Sequence, residues 1–342
     1  MKRLSLIAGL LGLALAIALI VHQGWAAIGQ SLATAGLGLL WLVPFHGLPI
    51  ALDAEGWRAL LAPRDGARSA TRPFLFWIAS VREAVNRLLP VASIGGEIVG
   101  IRLALLRPLP GTAVTASVIL EVLLTLINQY LFTALGLVLL VTLLSRSELS
   151  DALWWGLLVS LPVPLALYAL LRYGDLFARL ERFLLKLLGD DHKLAALFVN
   201  AAALDAEIRA MYRRQARLWA ALFWQLAGMV AGSFETWLAL RLLGHPVGAW
   251  QAVTVESLSL ALRNFAFFVP AGVGVQEAGL ILFGNLIGLP ADASIALSLA
   301  KRVREIGYGV PFLLSWQWLE ARRLGLRLRA RSAAAGAKQR NL

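Results

Sequence analysis

The sequence predicts an all-α fold: a polytopic membrane helical bundle of about six full spans, with two oppositely oriented re-entrant hairpins forming an inverted repeat. Three observations carry that reading. The first is composition: soluble domains average about 25% charged and about 45–50% apolar residues, whereas this 342-residue chain is 15% charged and 59% hydrophobic, with mean hydropathy +0.73. The second is run length, since 4–21, 152–171 and 218–240 reach or approach the roughly 20 residues a helix needs to cross hydrocarbon. A membrane β-barrel would show alternating segments of about 10 residues instead. The third is the distribution of Lys and Arg between connections, which fixes how many crossings the chain makes.

In chain order, Met1-Lys2-Arg3 and the apolar run 4–21 resemble a secretory signal, but with further spans downstream they read as an uncleaved first crossing. The loop 22–36 has no Lys or Arg, and 36–53 crosses back to a loop holding Arg58, Arg64, Arg68 and Arg72. Positive loops stay inside, so the N-terminus is expected in the cytoplasm. Crossings at 115–144 and 152–171 lead to the most basic interior stretch, 172–217, whose apolar and basic residues alternate at helical spacing. It is expected as an amphipathic cytoplasmic loop on the inner leaflet. The links 145–151 and 244–250 then lie outside. Crossings at 218–240 and 291–319 complete the membrane domain, 1–320, and a basic cytoplasmic tail, 321–342, follows.

Two apolar stretches remain, and parity makes each return to the side it left. In 72–109 the break falls at Pro90 with Gly95 and Gly96; in 251–289 it falls at Pro270 with Gly272 and Gly274. The stretches resemble each other: Asn86-Arg87 precedes Pro90 and Arg263-Asn264 precedes Pro270, and in both copies a glutamate, Glu97 or Glu277, follows the proline by seven residues. An odd number of crossings separates them, which gives halves of inverted topology, as in many secondary transporters.

Charges buried in these stretches narrow the chemistry. An ionisable group at the bilayer centre costs at least about 2.5–3.5 kcal/mol on insertion scales, so such groups face a partner or a polar cavity and mark a pathway. The candidate binding residues are Asn86, Arg87, Glu97, Arg102, Glu121, Arg263, Asn264, Glu277, Lys301 and Arg302. Lys301 and Glu305, four apart on a helix, are expected to pair. A set so rich in arginine fits an anionic group, which the planar guanidinium grips through a fork of donors, and helix N-termini after Pro90 and Pro270 would add backbone donors. Arg87, Arg263 and Arg302 would attract the anion, with Glu97 and Glu277 balancing them or carrying protons.

Other function classes find no support. With no cysteine there is neither disulfide nor thiolate chemistry, and the four histidines, His22, His46, His192 and His245, are too dispersed to ligate a metal. No metal or other cofactor is expected, nor a nucleic-acid partner, because the net charge of +12 sits beside membrane spans. No catalytic motif stands out, and the chain is not read as an enzyme.

The order Glu83, Asn86-Arg87-Leu88-Leu89-Pro90, Gly95-Gly96-Glu97, Arg102, then Pro270 to Glu277 and the Lys301-Arg302 helix resembles the lysylphosphatidylglycerol synthase transmembrane-region family across roughly residues 4–320. The resemblance implies lipid translocation between leaflets of a bacterial inner membrane. Bifunctional members append a soluble aminoacyl-transferase domain. Nothing of that size follows residue 320 here, so lysine transfer is not carried over. Overall similarity to stand-alone hopanoid-biosynthesis-associated membrane proteins adds hopanoids to anionic phospholipids as candidate cargo, and lipid-biosynthesis enzymes as candidate partners. Two alternatives stand beside lipid translocation: a secondary transporter of a small anionic solute, and a non-transporting scaffold for lipid-modifying enzymes.

Overall fold

A backbone N–H or C=O left unpaired in hydrocarbon costs several kcal/mol, so apolar spans fold as helices that satisfy their own backbones. The computed structural model describes residues 30, 33–89, 95–144, 148–173, 179, 201–265 and 274–340, and every regular element among them is helical. The expected first crossing, most of the amphipathic loop, and Pro90, Pro270 and Gly272 lie outside the described residues.

A 3-10 turn, Gly36–Trp41, leads into α1 (Leu42–Leu61), followed by α2 (Arg72–Leu88), α3 (Gly95–Ala104) and α4 (Gly111–Leu144). Next come α5 (Glu148–Ser160), α6 (Pro162–Tyr173) and α7 (Ala201–Tyr212). The remaining elements are α8 (Gln215–Leu242), α9 (Ala249–Phe265), α10 (Val275–Leu286) and α11 (Ala291–Arg340). Among the described residues, three helical stretches are long and apolar enough to cross a membrane, Ala33–Arg64, Gly111–Thr142 and Asp151–Tyr173. The last bends at Leu161, where Pro162 and Pro164 cannot donate to the preceding turn. The 34 residues of α4 form one unbroken helix, about 50 Å at 1.5 Å per residue. The lengths of α8 and α11 also suffice, but polar residues facing the interior interrupt their apolar runs.

The packing obeys a two-fold pattern. Helix α1 lies along α8, and the two are antiparallel: Pro49 faces Gly228 while Gly56 faces Ala221. The hairpins α2/α3 and α9/α10 each fold on themselves; α2 then packs on α11, the long helix of the other half, and α9 packs on α4. The sequence repeats in the same sense at a spacing of 180. Glu55-x-Trp57-x-Ala59-Leu60 returns as Glu235-x-Trp237-x-Ala239-Leu240, Glu97 as Glu277, and Leu109-Pro110 as Leu289-Pro290.

Apolar clusters locate the two ends of the bundle. Ala35, Leu42, Leu240, Leu289 and Ala293 meet at one end, where α9 leaves and α10 returns. At the other, Trp57, Leu61, Leu75, Leu103, Leu109 and Val114 meet, where α2 leaves and α3 returns. The hairpins therefore enter from opposite ends. Exposed aromatic residues ring both: Trp41, Trp155 and Trp250 at the first, Tyr173, Trp219 and Trp318 at the second. Such girdles favour the boundary between lipid and water, where an apolar ring meets a polar edge.

Candidate functional site

Between the hairpins lies a cavity of about 140 Å³. It is lined by His46 and Pro49 of α1, Arg87 of α2, Met229, Gly232 and Glu235 of α8, Glu256, Ser259, Leu260 and Arg263 of α9, Gln276 and Leu280 of α10, and Lys301, Arg304 and Glu305 of α11. The pairs α1/α8 and α2/α9 contribute walls from both halves, and α10 and α11 contribute from the second half alone. Polar groups need a partner at this depth, because an unpaired buried charge costs far more than a paired one.

The pairing accounts for nearly every charge. The Lys301 ammonium binds the Glu256 carboxylate, which also accepts the Thr236 hydroxyl at 2.5 Å. Glu235 takes Arg304 Nε at 2.7 Å on one oxygen and His46 Nδ1 at 2.8 Å on the other. Arg87 is held by Glu83, one turn before it, at 2.8 Å. Arg302 bridges Glu305 at 3.4 Å and Glu277 at 3.6 Å. Arg263 differs: among the described residues no carboxylate lies within 4 Å of it, and its guanidinium donates to the neutral Gln276 amide oxygen at 3.3 Å. The expected Lys301–Glu305 pair does not form, since Glu256 reaches Lys301 from α9 and Glu305 turns to Arg302.

The start of α10 is built to turn sharply. Gly274 has φ +82°, in the left-handed region where a side chain would be strained, and its N–H donates to Glu277 at 2.7 Å. The second Glu277 oxygen accepts the Ser298 hydroxyl at 2.8 Å, so this glutamate caps its own helix and ties it to α11.

The first hairpin closes differently. Arg82 Nη1 reaches both oxygens of Glu121 at 3.0 and 2.9 Å, its other arm approaches Glu97 at 3.4 Å, and the guanidinium lies over the Trp57 ring at 5.2 Å. Asn86 completes the lock, accepting the Gly96 N–H at 2.8 Å and donating to Glu97. Helix α3 sits so close that a Cβ on Gly96 would stand 2.5 Å from the Arg82 carbonyl oxygen, which explains glycine in the first turn of α3. Register makes Glu121 the counterpart of Lys301. Each half therefore ties its first hairpin helix to its following long helix by an ion pair, with the signs reversed.

Of the residues singled out from sequence, Arg87, Arg263 and Lys301 line the cavity, and Arg302 and Glu277 stand behind its wall. Asn86, Glu97 and Glu121 belong to the closed lock of the first hairpin instead. Arg102 pairs with Glu320 at 2.8 Å on an exposed surface, and Asn264, also exposed, donates to Gln129 at 2.8 Å. Sequence reasoning missed His46 and Glu235. The 180-residue repeat would have flagged Glu235, as the partner of Glu55; a lone histidine in an apolar run carries no comparable mark.

The family model described as "Lysylphosphatidylglycerol synthase TM region" matches residues 6–314. The chain belongs to that family and is an integral membrane protein involved in lipid handling. No curated protein and no solved structure matches it.

Proposed function

We propose that this family member carries an anionic lipid headgroup across the bacterial inner membrane, through the cavity between its two hairpins, while the acyl chains stay in the bilayer. The observation that carries the reading is Arg263: a half-buried cation in a cavity wall, facing a neutral amide, in a site where its neighbours are paired with carboxylates. A guanidinium so placed gains most from an arriving phosphate. Two hairpins entering from opposite ends give the site two routes, one to each leaflet.

The direction of the molecule follows from charge. Arg58, Arg64, Arg72, Arg102, Arg172, Arg217 and Arg322 gather at the Trp219 end, whereas Arg241 is the one Lys or Arg at the Trp41 end among the described residues. The positive end faces the cytoplasm and its anionic leaflet. Anionic phospholipid, or a hopanoid bearing a charged headgroup, suits the site; an uncharged hopanoid does not.

Leaflet exchange of headgroup-labelled phosphatidylglycerol in proteoliposomes tests the proposal. Wild type and an Arg102→Ala control exchange lipid, and Arg263→Ala loses the activity at equal reconstitution. Exchange unchanged in Arg263→Ala removes this cavity from the path. Uptake of a small organic anion with no lipid exchange favours the solute transporter.

A further inference from the structure

His46 is buried in the cavity wall, and the chemistry of its neighbours fixes its proton. Arginine nitrogens only donate, so the ring nitrogen that meets Arg304 Nη1 at 3.3 Å, Nε2, must be the acceptor. The proton then sits on Nδ1, donated to Glu235 at 2.8 Å. The resting ring is neutral. A second acceptor stands nearby: Glu83 Oε1 lies 3.9 Å from Nε2, too far for a hydrogen bond but within reach of a small rotation.

We propose that His46 is the proton-binding residue that couples occupancy of the cavity to proton uptake; the proposal rests on the anion-site reading above. A proton added at Nε2 turns that atom from acceptor to donor. It can no longer face Arg304 Nη1 and turns to Glu83. Two guanidinium arms are then released toward the cavity, that of Arg304, still anchored through Nε on Glu235, and that of Arg87, whose partner Glu83 is now shared. The wall gains one positive charge as well. An anion prefers this state, and by reciprocity the bound anion favours the proton. The imidazole suits the task because it is the side chain that ordinarily changes charge between about pH 5 and 8.

Several charged groups share the surroundings. Glu235 faces the ring from α8, Glu83 from α2, and Arg304 with the Tyr308 ring edge, at 4.9 Å, from α11. Across the cavity stand Glu256 and Arg263 of α9 with Lys301 and Glu305 of α11, while α10 presents the uncharged Gln276. On α1 itself Asp53 lies two turns on, and from α4 Glu121 is occupied by Arg82. Among the described residues only His46, on α1 of the first half, reaches the second half through ring nitrogens of opposite role.

Affinity for a soluble short-chain phosphatidylglycerol, whose phosphodiester keeps its charge across the range, separates the possibilities when measured from about pH 5 to 8 on the full chain in detergent. Wild type binds more tightly as pH falls, by up to about tenfold per pH unit, the limit for one linked proton. His46→Gln, which can still donate to Glu235 and accept from Arg304, binds at the wild type's high-pH affinity with no slope. Glu83→Gln, which withdraws the negative charge that would pair with the new imidazolium, flattens the slope too. Wild-type binding without pH dependence, or an unchanged slope in folded His46→Gln, overturns the coupling and leaves the anion site intact. No binding by wild type at any pH overturns both.

Discussion

Arg82 is a buried guanidinium and Arg263 a half-buried one, and what faces each differs. Arg82 is saturated by Glu121, Glu97 and the Trp57 ring, so it holds the first hairpin shut. Removing it leaves Glu121 as an uncompensated buried charge: Arg82→Met should destabilise the protein by about 3–5 kcal/mol, and Arg82→Met with Glu121→Gln should recover most of the loss. Thermal unfolding in detergent checks this. On the proposed function, truncating Arg263 takes away a charge-assisted contact worth about 1.5–3 kcal/mol, and Arg263→Ala should weaken headgroup binding about 10- to 100-fold while leaving stability nearly unchanged. Outside the spans, burial pushes the Asp65 carboxyl up, but the Ala70 and Ser69 N–H groups, the Ser69 hydroxyl and the Arg107 charge outweigh it and hold it below its ordinary 3.8. A depressed acid stabilises above its unfolded value and loses the benefit as pH falls through its folded one. Asp65→Asn should therefore lower the melting temperature near neutral pH, and the difference should vanish in acid. The individual charges were legible in sequence because they interrupt apolar runs. Their partners were not: His46 to Glu235 and Arg304 to Glu235 join positions 189 and 69 residues apart, and only the fold supplies those distances.

At the scale of elements, the α1–α8 pair forms the spine of the molecule, and small residues let it close. A side chain on Gly56 would meet the Ala221 carbonyl at 3.1 Å, and one on Gly228 the Pro49 carbonyl at the same distance. Within lipid, such small-residue seams substitute for the hydrophobic effect, which drives little association between helices there. Gly56→Leu or Gly228→Leu should cost about 1–3 kcal/mol through overpacking, read as a lower melting temperature; Gly66→Leu, with nothing within 4 Å, should cost little. Among the described residues, the order of the long helices was readable from apolar run length. Their limits were less so: the second expected crossing, 36–53, belongs to a helical stretch that continues to Leu61, and Gly95 and Gly96 fall in the first turn of α3 rather than in a break. Close approach of two backbones and a turn both select glycine, and one sequence does not distinguish them.

Among the described residues the molecule is two antiparallel copies of one plan: a span, a hairpin and a long helix, 180 residues apart, bracketing α5, α6 and α7. Parity of the loop charges predicted the inverted halves, and the packing of α2 on α11 and α9 on α4 gives them physical form. What parity could not supply was the asymmetry. One hairpin is locked by an arginine among carboxylates, and the other presents Arg263 to a cavity; the reversed ion pairs of Glu121 and Lys301 underlie that difference. On the proposed function, this cavity is one site served from both faces of the membrane. Since the chain has no cysteine, Ser259→Cys in the cavity wall can be labelled without background, with Trp250→Cys and Arg322→Cys as markers for the two ends. In sealed, uniformly oriented proteoliposomes, an impermeant thiol reagent should reach Ser259→Cys from either side, each marker from one side, and short-chain phosphatidylglycerol should protect the cavity position. Labelling of Ser259→Cys from one face alone, or without protection by lipid, would contradict the account.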